Sequence, residues 1–253
     1  MNLFDHTFIF VIAIVYPIVS FISFRRLLKR VAAGERVDRS ELYRNTMFSH
    51  WTLFFVGMAI WAFAARPWPA MGFGLQLDLW FAVATVLTIL GVVALVIQLR
   101  KVNAAPQDEL GKYRAQFGDL SIMLPRNGNE LARFYGLSIT AGIVEEVLWR
   151  GFLIWYLSQF MPLWGAALVS AIAFGLAHAY QGLVHLPPLI MAGLVFSALF
   201  VISGSLWLPI IMHAAVDILQ GRLAYGVMHR SAMGGNSPPD DANGPSELIG
   251  ASG

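Results

Sequence analysis

The stretch IVEEVLWRGFL, residues 143–153, places two adjacent glutamates and an arginine in a run that is otherwise apolar enough to span a membrane. Ionisable side chains inside a span are costly and usually face a bundle interior or a water-filled cavity. Glu146 and Arg150 are four residues apart, share one helix face and are expected to pair. Glu145 is rotated by roughly 100° from Glu146, so we expect it to remain an uncompensated acid.

The composition of the whole chain is that of an integral membrane protein. Of its 253 residues, 57% are hydrophobic and 13% are charged, and the mean hydropathy is +0.64, which is too apolar for a soluble domain. The absence of cysteine excludes disulfides, thiolate catalysis and cysteine-bound metals. The net charge of +2 comes from basic loops, so the predicted partner is a lipid bilayer and no nucleic acid is expected.

Hydropathy predicts an all-α, polytopic transmembrane helix bundle of about seven helices, with the site among the C-terminal four. The predicted spans are 6–24, 49–65, 78–99, 131–157, 162–180, 186–203 and 206–226. We divide the chain into an N-terminal part of three helices (1–130), a helical core (131–226) and a disordered tail (227–253) rich in Gly, Pro, Ser and Asp.

Lysine and arginine are concentrated in the predicted loops 25–50 and 100–130. The positive-inside rule places both loops on the cytoplasmic side. With seven membrane crossings, this predicts an external N-terminus and a cytoplasmic C-terminus. A count of six or eight crossings would change the predicted side of the C-terminal tail but not that of the two basic loops.

Further ionisable groups occupy the later spans. His178 follows a row of small residues that favours close helix contact, and His213 and Asp217 are four apart on one face, where the carboxylate is expected to orient the imidazole. With the predicted boundaries and straight helices, Glu145, His178 and His213 would lie at different depths. The remaining histidines are interpreted as interfacial or tail residues; they are His6, His50, His185 and His229.

Three motifs on successive hydrophobic segments carry a family resemblance. They read Glu145-Glu146-x-x-x-Arg150, Phe174-x-x-x-His178 and His213-x-x-x-Asp217. Together they resemble the motifs of the CPBP family of intramembrane proteases, from about residue 131 to about residue 222. That family includes the CAAX prenyl endoproteases and bacterial members linked to bacteriocin processing or immunity. Its last motif often ends in Asn, whereas an ionised Asp217 only accepts hydrogen bonds.

The resemblance implies an endopeptidase acting on a peptide or protein substrate, in a bacterial plasma membrane. Our hypothesis is that Glu145 activates a water, with His178 and His213 positioning it and supplying protons or oxyanion contacts. The other predicted site residues support this centre; they are Glu146, Arg150 and Asp217.

The same residues are also compatible with a second mechanism, that of a metalloendopeptidase. Two histidines and a carboxylate can bind a catalytic zinc, and the ligands would be His178, His213 and Glu145. No His-Glu-x-x-His helix is present, so the metal-free form is preferred and no cofactor is assigned.

Two other classes of protein fit parts of the sequence. A membrane scaffold or immunity factor of the same family would keep the motifs without catalysis. A proton-coupled transporter would also place ionisable groups inside a bundle, but the chain lacks recognisable inverted-repeat halves.

Overall fold

In the computed structural model, residues 1–234 are described, with side chains as far as residue 230. These residues form eight helices and no strand, which confirms the all-α prediction. The helices are α1 (Leu3–Ala32), α2 (Arg39–Phe63), α3 (Leu79–Asn103), α4 (Gln107–Ala115), α5 (128–157), α6 (Leu163–Ala177), α7 (Leu186–Ser203) and α8 (Trp207–Gly234).

Four of these helices are long and apolar enough to cross a membrane: α1, α2, α3, and α7 together with the turn that precedes it. Their outer faces are apolar and exposed, as lipid contact requires; on α3, for example, Val86, Ile89 and Leu90 are each more than half exposed. A helical membrane bundle is therefore confirmed. The apolar α6 has only 15 residues and α5 and α8 carry the ionisable groups, so the count of seven crossings remains a prediction.

The first predicted loop, 25–50, is much shorter than expected. Helix α1 continues to Ala32, and α2 begins at Arg39. The start of α2 is fixed by Asp38, whose side chain accepts a hydrogen bond from the backbone N–H of Glu41 at 3.0 Å. Most of the predicted cytoplasmic loop therefore belongs to the ends of two helices.

The second predicted loop and the predicted tail also contain helix. Within 100–130, α4 packs its Leu110 against Leu223 and Val227 of α8. Helix α8 extends to Gly234, so the disordered tail cannot begin at 227 as predicted. The rest of that predicted tail, 235–253, lies outside the described residues.

Helix α5 widens into a π-helix at Val147–Leu153, directly after the glutamate pair, and such segments are frequent at functional sites. Gly151 lies in this segment, where a Cβ atom would come within 2.9 Å of the Met71 Cγ and 3.4 Å of the Leu206 Cδ1. The absence of a side chain lets the turn before α8 pack against α5. As a result, α8 begins beside Gly151, within the length of α5.

Close packing of α5 on α8 depends on Gly142. A Cβ atom at this position would lie 2.9 Å from the backbone nitrogen of Ala214. This contact brings the neighbouring His213 beside the glutamates of α5.

We therefore expect Gly142→Ala to lower the free energy of unfolding by about 1–3 kcal/mol, because an overpacked backbone contact relaxes poorly. The matched control is Gly136→Ala on the same helix, where the nearest atom to an added Cβ is the Met47 sulfur at 3.9 Å. Thermal unfolding in detergent would measure both. Equal stability of the two variants would contradict the packing argument.

Candidate active site

A fully buried ion pair between Glu146 and Arg150 lies next to the site. Arg150 Nη1 donates to Glu146 Oε1 at 2.8 Å, and both side chains are fully buried. Arg150 Nη2 donates to the Gly193 carbonyl oxygen at 3.0 Å, and the guanidinium carbon lies 4.5 Å from the centre of the Phe174 ring. The predicted pair is confirmed, and it also links α5 to α6 and α7.

His213 is oriented by Glu146. Its Nδ1 atom lies 2.7 Å from Glu146 Oε1, and its ring stacks on Phe196 with centroids 4.8 Å apart. Asp217 Oδ2 lies 3.7 Å from His213 Nε2, outside hydrogen-bond distance. The prediction that Asp217 orients His213 was therefore wrong. Residues four apart share a face, but the imidazole turns its Nδ1 towards the buried carboxylate of the neighbouring helix.

Two further histidines have the same ring orientation. His178, at the C-terminal end of α6, places Nδ1 2.8 Å from the Phe174 carbonyl oxygen. His50 places Nδ1 2.9 Å from the Thr46 carbonyl oxygen. A carbonyl oxygen only accepts hydrogen bonds, so Nδ1 carries the hydrogen in both rings. The Nε2 atom of each ring is therefore available for contacts inside the site.

These Nε2 atoms converge on Glu145. His50 Nε2 lies 2.9 Å from Glu145 Oε1, whereas the Nε2 atoms of His178 and His213 lie 3.7 Å and 4.0 Å from Oε2. Glu145 Oε2 is buried and makes no hydrogen bond with any described residue. Polar atoms at such separations are suited to sharing a water or a substrate atom.

The structure brings Glu145, His178 and His213 to one level, so the expected difference in depth was wrong. With 15 residues, α6 is about 22 Å long, shorter than the roughly 30 Å hydrocarbon core. His178 follows the end of this short helix, and its Nε2 atom lies 3.7 Å from Glu145 Oε2. Because α8 begins beside Gly151, His213 also reaches the level of the glutamates.

Two expectations about charge also fail. His50 is 7% exposed and contacts Glu145, so it is not interfacial, and Glu145 is not left without a partner. The error came from starting the second span at residue 49, which put His50 at a helix end. The Asp38-x-x-Glu41 pattern is a helix-start signal, and it would have placed His50 well inside α2.

No group of three or more His, Asp or Glu side chains in the described part of the chain is arranged to hold a metal ion. Glu145 Oε1 is held by His50, and Glu146 Oε1 is shared by Arg150 and His213. The geometry therefore adds no support to the zinc interpretation, which stays a prediction.

The fold and the site define a helical membrane protein with a buried glutamate–histidine centre. Residues 127–219 match the family model Rce1-like, described as type II CAAX prenyl endopeptidase Rce1-like. The match confirms the resemblance to CPBP intramembrane proteases. All six predicted site residues lie inside the matched range, and His50 lies outside it.

One curated relative is an uncharacterized 24.3 kDa protein of Escherichia coli, which is 34% identical over 84 residues. The aligned stretch covers 32% of this chain, and the chain spans 39% of the length of that relative. No solved structure matches the chain significantly.

Proposed function

We propose that the protein is an intramembrane endopeptidase in which Glu145 activates the water that hydrolyses a peptide bond. The observation that carries this proposal is the buried Glu145 Oε2, which makes no hydrogen bond with the described residues and faces the Nε2 atoms of His178 and His213. A general base needs an acceptor atom within reach of the proton that it removes. The Rce1-like match supports a protease at the level of the family.

In the proposed reaction, water attacks the peptide carbonyl carbon while Glu145 Oε2 takes up its proton. The carbonyl oxygen becomes an oxyanion, and collapse of the tetrahedral intermediate breaks the C–N bond as the nitrogen receives a proton. The second hydrogen of the water is donated to the Nε2 atom of His178 or His213. Glu145 then gives the proton that it has taken up to the leaving nitrogen, directly or through one of these rings, which donates to the oxyanion while it is protonated.

The other predicted site residues act around this centre. Glu146 holds Nδ1 of His213, and Arg150 neutralises Glu146 in a fully buried site. Asp217 places a carboxylate beside the Nε2 atom of His213, where positive charge develops when the ring is protonated. These roles make Glu146 and Arg150 positioning residues.

The wider setting of the activity belongs to the same proposal. We place the catalytic helices within residues 131–226, which follow an N-terminal part of three helices in the sequence. The substrate is a peptide or protein at the membrane, and the membrane is the bacterial plasma membrane, with the N-terminus outside and the C-terminus in the cytoplasm. The basic residues near the ends of α1 and α3 support this orientation.

The direct test is cleavage of a quenched-fluorescent peptide library by the purified protein in detergent. We expect the native chain to cleave and His213→Ala to be inactive, because the ring that faces Glu145 Oε2 is removed. Activity that resists a chelator would support the glutamate-activated water. Activity lost to the chelator and restored by zinc would support the metalloendopeptidase form.

The two other classes of protein predict different results. A proton-coupled transporter would move solute in proteoliposomes, and Glu145→Gln would abolish that flux. A scaffold or immunity factor would keep its cellular function in the same variant. Either result, with no cleavage by the native chain, would reject the endopeptidase.

A further inference from the structure

We infer that His50, which lies outside the matched family segment, is a positioning residue that fixes the carboxylate of Glu145. This inference deepens the proposed function and rests on it. Its basis is the contact of 2.9 Å between His50 Nε2 and Glu145 Oε1, across the interface between α2 and α5. The side chains are nearly buried, with exposures of 9% and 13%.

Both ring nitrogens of His50 face oxygen atoms. Nδ1 donates to the Thr46 carbonyl oxygen at 2.9 Å, and a second hydrogen on Nε2, which makes the ring an imidazolium, is donated to the ionised Glu145 at Oε1. The Tyr16 hydroxyl lies 3.2 Å from Nδ1 and 3.3 Å from the Ser49 hydroxyl. These contacts from α1 and α2 hold the ring in one orientation.

The consequence of this arrangement concerns the two oxygens of Glu145. A free carboxylate presents either oxygen equally, but a hydrogen bond to Oε1 fixes the rotation of the group. Oε2 is then held towards His178 and His213. Active-site groups that are held in place before substrate binds avoid a reorganisation cost during the reaction. His50 therefore selects the oxygen that acts as the base.

Two amide substitutions separate this role from a purely structural one. In His50→Gln, the side-chain nitrogen can occupy the place of Nε2 and donate to Glu145. In His50→Asn, the shorter side chain places its nitrogen near Nδ1, where it can bond Thr46 but does not reach Glu145. His50→Leu removes both contacts. The exposed His229 provides a matched control as His229→Leu.

For cleavage by the full chain in detergent, we expect the kcat of His50→Gln to remain within about 10-fold of native. We expect His50→Asn and His50→Leu to lose about 100-fold, since misplacement of a catalytic group has effects of this size. KM should change little. The inference is overturned if Asn restores activity as well as Gln does, if Gln is as inactive as Leu, or if only KM changes.

A second measurement separates failure of this inference from failure of the proposed function. Thermal unfolding of His50→Leu, Glu145→Leu and the double variant forms a double-mutant cycle, because each single substitution removes the contact between His50 Nε2 and Glu145 Oε1. A paired contact predicts that the second substitution lowers Tm much less than it does alone. If the native chain cleaves no peptide, the endopeptidase proposal fails. The cycle still tests whether His50 and Glu145 interact. Additive Tm shifts would overturn the inferred contact, and non-additive shifts would support it.

Discussion

Glu145→Gln is expected to lower peptide cleavage by about 100- to 10,000-fold, the range lost when a general base is removed, while the protein remains folded. Glutamine keeps the volume of the side chain, and its amide oxygen can still accept the hydrogen bond from His50. The oxygen that faces His178 and His213, however, can no longer take up a proton. The initial rate of cleavage of a fluorogenic peptide measures the loss.

The control for this variant is Glu109→Gln, which removes an exposed carboxylate from α4. It should retain the native rate. Thermal unfolding shows whether Glu145→Gln is folded. A folded Glu145→Gln protein with native activity would remove Glu145 from the role of base, whatever the behaviour of the histidines.

The largest expected loss of stability comes from Arg150→Met. The substitution leaves the fully buried Glu146 without its cation and removes the donor to Gly193. Breaking a buried ion pair from one side costs about 3–5 kcal/mol. The free energy of unfolding in detergent measures the effect, and the exposed Arg44, substituted as Arg44→Met, is the control.

The double variant Glu146→Leu, Arg150→Met separates stability from catalysis. Replacing a whole buried pair by apolar side chains is often neutral or stabilising, so much of the lost stability should return. Cleavage should not return, because His213 Nδ1 loses its acceptor. A double variant as unstable as Arg150→Met, or one with native activity, would contradict these assignments.

The sequence determined the features that depend on local periodicity and composition. Apolar runs predicted a helical membrane bundle, and the spacing of Glu146 and Arg150 predicted a pair that is present at 2.8 Å. The three motifs carry the resemblance that the match at residues 127–219 confirms, and they contain Glu145, His178 and His213, whose side chains lie close together in the fold. These inferences succeed because helix geometry alone decides which residues share a face.

Only the tertiary structure decided which groups these faces meet. His50 contacts Glu145 from 95 residues away in the chain, and Glu146 orients His213 across 67 residues. Both contacts depend on where α2 and α8 pack against α5, and that packing depends on the start of α2 at Arg39 and on the close approaches at Gly142 and Gly151. Periodicity describes one helix at a time, whereas the partners of a buried charge are set by the helices packed around it.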